Sequence, residues 1–128
     1  DPGRLIFGAA RCEADIPRAT EEALRAGPAP LVVAELSAAP SLTVVRRLLL
    51  AAKASSGAPT ALLLTPEDRA GAAGVETRWR IAPRPGWARD GRARWRLDRL
   101  RARAIPPGSW EMSLEAGRPW LTPLPGPP

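Results

Sequence analysis

The chain has 128 residues, 45% of them apolar and 25% charged, enough for one hydrophobic core and too apolar for wholesale disorder. It contains no histidine and one cysteine, Cys12; this excludes an intrachain disulfide, a cysteine-based zinc site and the commonest general base. No apolar run approaches the roughly 20 residues of a membrane helix, and a reduced, cytoplasmic setting is expected. The net charge is +6, and its placement is uneven.

Asp1-Pro2-Gly3 has no basic or apolar leader character and no initiating methionine, so Asp1 reads as a cut or fragment end. Residues 5–10 (Leu5-Ile6-Phe7-Gly8-Ala9-Ala10) form an apolar run of buried-strand length. Cys12 is expected to be a small buried or half-buried side chain. Asp15 ahead of Pro17 predicts a helix start. Ala19, Ala23, Leu24 and Ala26 would form its apolar stripe, with Glu21, Glu22 and Arg25 facing water, and Gly27-Pro28 would end it. Leu31-Val32-Val33-Ala34-Glu35-Leu36 predicts a strand covered on both faces. Ser41 is an N-cap candidate for a second helix. Its stripe would be Leu42, Val45, Leu48, Leu49 and Ala52, with Arg46, Arg47 and Lys53 off it and Gly57 and Pro59 as stops. Residues 60–64 predict another buried strand. The order β-α-β-α-β argues for a parallel sheet.

After Thr65 the pattern changes to a polar loop over 66–74. Val75, Thr77, Trp79 and Ile81 then alternate with Glu76, Arg78 and Arg80, the period of a half-buried strand. A second loop, 83–91, carries Trp87. Trp95 and Leu97 alternate with Arg94, Arg96 and Asp98, and the parity slips at Arg99-Leu100, predicting a bulge or a change of face. Pro106-Pro107-Gly108 is a turn, and Trp110, Met112 and Leu114 alternate with Glu111, Ser113 and Glu115. These strands read as antiparallel. Trp79, Trp95 and Trp110 are expected on one side of the sheet. Residues 118–128, rich in proline and without period, read as a frayed tail.

The charge excess sits in one segment. Residues 1–75 balance eight basic against eight acidic side chains, whereas 76–103 set ten arginines against Glu76, Asp90 and Asp98. Such a stripe can attract phosphate backbones. A GC-rich composition, with Lys53 the only lysine, also raises the charge without any ligand. The chain contains neither G-x-x-x-x-G-K-[ST] nor G-x-G-x-x-G, so these residues hold no phosphate loop. Glu35, at the end of its strand, stands where an acid can orient a metal-bound water; the plain alternative is a solvated carboxylate. Glu13 with Asp15, and Glu67 with Asp68, are sequence neighbours and poor candidates for a catalytic dyad. Trp87 and Trp120 are either partner anchors or small satellite clusters.

The segments Thr77-Arg78-Trp79-Arg80 and Leu100-Arg101-Ala102-Arg103 through Gly108-Ser109-Trp110-Glu111-Met112 resemble the ImuA family, RecA-like accessory proteins of the bacterial SOS mutagenesis cassette. Weaker likeness runs through residues 19–27, 32–36 and 46–52, so the resemblance covers roughly 4–115. It implies an α/β RecA-like core over 1–117, without its phosphate-loop portion, followed by a flexible 118–128 tail. It places Glu35 at the Walker-B-like position. It implies a non-enzymatic protein without cofactor that binds RecA and an ImuB-like protein in translesion synthesis. Arg101 and Arg103 match basic positions that reach a neighbouring subunit's nucleotide in RecA filaments. The expected contact set is Arg78, Arg80, Arg94, Arg96, Arg101, Arg103 and Trp87. The alternatives are a basic domain gripping nucleic-acid phosphates without reading sequence, and a fragment of a RecA-like ATPase.

Overall fold

In a computed structural model of the chain, which describes residues 2–66, 72–84 and 93–125, the first helix is α1 (Ile16–Ala26). It follows a 3-10 turn, Glu13–Asp15, and that turn already holds Asp15 in helical φ/ψ. An N-cap side chain reaches the first free N–H groups from an extended backbone; Asp15 therefore makes no capping bond and accepts instead from Cys12 Sγ at 3.2 Å. Cys12 is exposed, contrary to its expected burial. The helix stops at Gly27, in the left-handed region at φ +78°, where a Cβ would also meet Ser55 Oγ at 2.7 Å.

The buried face of α1 is Thr20, Glu21 and Leu24, while Ala19, Ala23 and Ala26 are exposed. The alanine stripe does not orient the helix, because alanine buries little area and Leu24 dominates the docking. Thr20 satisfies its hydroxyl by donating to Ile16 O at 2.7 Å. Glu21, expected in water, is covered because Arg25 and Arg47 both bind its carboxylate.

Strand β1 (Leu31–Glu35), helix α2 (Leu42–Ala54) and strand β2 (Thr60–Leu64) follow. Ser41 caps α2 from an extended backbone, its Oγ accepting from Val44 N at 3.3 Å. The buried stripe of α2 is Val45, Leu48 and Ala51, with Leu42 turned outward. The strands pair in parallel register from Leu31 opposite Thr60 to Glu35 opposite Leu64. Val32, Ala61 and Leu63 pack on a core of Leu24, Leu48 and Ala51. The alternate positions Leu31, Val33, Leu62 and Leu64 are about half exposed, so the pair is covered on one face rather than both. Residues 5–10 are not a strand: Ile6 and Phe7 are 94% and 88% exposed, and nothing among the described residues pairs with them. A strand needs a neighbour's hydrogen bonds, and an apolar run alone does not supply one.

These elements make one unit, Asp1–Gly74; a second, Val75–Pro128, is a four-stranded antiparallel meander. Its strands are β3 (Thr77–Pro83), β4 (Arg94–Ala102), β5 (Gly108–Glu115) and β6 (Arg118–Leu124), neighbours in that order. The protein is thus mixed α/β, with a small parallel sheet and an antiparallel one. Trp79 pairs with Arg99 and Arg78 with Arg101, so the slip in parity is a bulge.

The frayed tail is corrected over 118–124, which is strand β6. Ala116 and Gly117 both have positive φ, the geometry of a two-residue hairpin turn closed by Glu115 opposite Arg118. Counting from that closing pair, Pro119 and Pro123 fall at positions whose nitrogen faces away from β5, as an edge strand tolerates. No helix among the described residues is long and apolar enough to cross a membrane.

Candidate interaction surface

Alternation along the meander sorts its side chains onto two faces. One face carries Arg80 opposite Asp98 opposite Ser109, and beside them Ala82 opposite Arg96 opposite Glu111. Asp98 is buried although it stands on an arginine face. Arg80 donates to Oδ2 through Nε at 3.2 Å and Nη2 at 2.9 Å. Arg96 Nε donates to Oδ1 at 2.9 Å, and Ser109 Oγ donates to the same oxygen at 2.6 Å. Burial alone would raise the carboxyl's pKa. The Ser109 hydroxyl and the Arg96 and Arg80 guanidinium groups outweigh burial and lower it from 3.8 to about 2.

Glu111 organises a second pair: Arg84 Nη1 reaches Oε2 at 2.7 Å and Arg94 Nη1 reaches Oε1 at 3.0 Å. Four guanidinium groups thus share two carboxylates, which leaves this patch cationic while locking its side chains in place. Arg101, exposed, stands directly opposite Arg78 across the bulge. Like charges facing each other this way repel. Arg103 is exposed in the turn after β4, held there by its N–H on Glu76 O at 3.3 Å.

Of the expected contact residues, Arg78, Arg80, Arg94 and Arg96 therefore lie on the meander strands, with Arg101 and Arg103 at one end of it. Trp87 lies outside the described residues. Glu35 ends β1 in the other unit, exposed, on the side of Leu31 and Val33. In the same unit Glu13 accepts from Ser37 N at 2.6 Å, and hydrogen bonding from the Ser37 side chain and backbone lowers its pKa. The organising acid Asp98 had a legible signal, since it shares one parity with Arg94 and Arg96; Glu111 comes to them only through the pairing of β5 with β4.

No family model, curated protein or solved structure matches the chain.

The opposite face was expected to gather tryptophans, and it does. Trp79 and Trp110 lie with ring centroids 5.7 Å apart at 41°. Arg99, marked in the sequence only by the slip in parity, places its guanidinium 5.7 Å from the Trp79 ring and 5.0 Å from the Trp110 ring. Gly108 makes this possible. It stands opposite Arg99, and a Cβ there would lie 2.6 Å from Trp110 Cη2. Gly108→Ala is expected to push the Trp110 ring off Arg99 and cost about 1–2 kcal/mol, as overpacking does. Urea unfolding followed by tryptophan fluorescence measures it; an unchanged midpoint would show that the ring relaxes without loss. Among the described residues no cluster of acids and Cys12 is arranged to hold a metal.

Proposed function

We propose that the chain works as a RecA-like accessory protein of the ImuA type, docking on RecA and an ImuB-like partner during SOS-induced translesion synthesis. The observation that carries this reading is the cationic face of the meander. Arg80, Arg94 and Arg96 are braced on Asp98 and Glu111, beside Arg78 and Arg101. The segments that resemble the ImuA family fall on β3, β4 and β5, the strands that build this face. The β1–α2–β2 arrangement, two parallel strands joined through a helix, agrees with a RecA-like core.

The role is binding rather than catalysis. The 128 residues contain no phosphate loop, and Glu35 without one has no phosphate to serve. Braced arginines suit an acidic protein patch or a phosphate held at a subunit boundary, because little side-chain entropy is lost on docking. Arg101 and Arg103, exposed at the end of the face, supply the contact in trans.

Arg101→Ala combined with Arg103→Ala is expected to weaken binding to RecA about tenfold, since each exposed ion pair contributes up to about 1 kcal/mol. Titration calorimetry of the full chain against RecA measures this. Equal affinities would remove the basis of the reading. Salt dependence separates it from plain phosphate gripping: nucleic-acid binding by this face would fall steeply between low and moderate salt.

A further inference from the structure

The other face of the meander has a different chemistry. Ile81, Leu97 and Trp110 lie in one cross-strand row, and Trp79 pairs with Arg99 in the next. Among the paired strand residues of this face the single charge is a cation, Arg99. Trp79 remains 45% exposed and Ile81 61% exposed. The two indole planes diverge at 41° instead of closing into a stack. Arg99 is fixed beside them because its Nε and Nη2 donate to Pro106 O at 3.2 and 2.8 Å. Those bonds engage two of the five N–H groups of a guanidinium, so the fork is positioned with donors remaining for an anion.

A surface that offers aromatic rings, a pre-positioned cation and, among its described strand residues, no carboxylate fits a ligand that is at once planar and anionic. Single-stranded nucleic acid has both properties along its length: bases stack on aromatic side chains, and the backbone meets arginine. Duplex DNA fits poorly, because its base faces are already stacked on one another. An acidic peptide fits poorly as well, because one cation on an otherwise apolar face answers few carboxylates.

We propose that the Trp79–Arg99–Trp110 face binds single-stranded nucleic acid, with bases stacked on the indoles and phosphates drawn to Arg99. This goes beyond the adaptor reading and uses the face opposite the braced arginines, so either can fail alone.

The test is fluorescence anisotropy of the full chain with a labelled oligothymidylate, an abasic strand of equal length and a duplex. Tryptophan quenching is recorded in parallel. The oligothymidylate is expected to bind and quench, and the abasic strand to bind about tenfold more weakly or worse, the usual scale of losing base–aromatic stacking. Trp79→Ala should lower oligothymidylate affinity about tenfold, and Trp79→Phe should retain most of it. The comparison of normal and abasic strands needs no variant, so it stands even if Trp79→Ala misfolds. Equal binding of the two strands, tighter binding of duplex, no binding at all, or displacement by polyglutamate at matching charge concentration would each overturn the proposal.

Discussion

Asp98→Ala is expected to destabilise the meander by about 3 kcal/mol, at the lower end of what breaking a buried, fully bonded ion pair costs. The loss has two parts. Four hydrogen bonds disappear, from Arg80 Nε and Nη2, Arg96 Nε and Ser109 Oγ. Arg80 and Arg96 then lose the carboxylate they share, so repulsion between the two guanidinium groups adds to the lost attraction. The value stays near the lower end because the Arg80 and Arg96 side chains that bind the carboxylate are themselves 44% and 34% exposed, so water can re-enter. All five tryptophans lie between positions 79 and 120, so the fluorescence midpoint in urea reads this unit. A midpoint unchanged from the parent would show that the network carries no stability.

The same carboxyl predicts an acid limb. Its folded pKa of about 2 lies below the usual 3.8, so the folded state holds fewer protons than the unfolded state between those values. The stabilisation, about 2 kcal/mol from the shift, is complete above about pH 4 and fades as the pH falls through about 2. Asp98→Asn should be weaker at neutral pH and should flatten that limb. If the variant and the parent lose stability in parallel on acidification, the titrating group lies elsewhere.

What could be read from the residues was whatever is decided locally. Ser41 caps α2 by reaching Val44 N three residues on, and Gly27 ends α1 through its own φ; neither needs a distant partner. The bulge at Arg99-Leu100 announces itself as a slip in alternation, and the shared side of the tryptophans follows from period two. What stayed hidden depends on neighbours remote in sequence. Residues 5–10 have a strand's composition and pair with no strand among the described residues. Prolines masked β6, although Ala116-Gly117 supplies its turn and both prolines sit where no N–H is required. Glu21 looked solvated because the residue that covers it, Arg47, comes from another helix. On the candidate surface, counting charge found the arginines and missed their division of labour. Arg80, Arg84, Arg94 and Arg96 are bound to Asp98 and Glu111, while Arg99 left the cationic face for the tryptophans.

Leu24→Ala is expected to cost the first unit about 3 kcal/mol. Leu24 has no exposed surface and touches the cluster shared with Leu48 and Ala51. Around it the buried apolar side chains of that unit are small or few: Ala34, Leu36, Val45, Leu48 and Ala51. Truncating leucine in a core removes its transfer energy and leaves a cavity, together about 2–5 kcal/mol. The middle of that range applies because β1 and β2 are open on their far side and can shift toward the gap. Both helices belong to this unit, so the helical circular-dichroism band in urea reports the change. Ala23→Ser supplies the control. Ala23 is exposed, so its replacement should move the midpoint by no more than about 0.5 kcal/mol, as ordinary surface changes do. Had the alanine stripe faced the sheet, the serine would bury a hydroxyl and the two variants would lose comparable stability. A large loss in Leu24→Ala with almost none in Ala23→Ser fixes the rotation of α1, and with it the burial of Glu21 that ties α1 to α2 through Arg47.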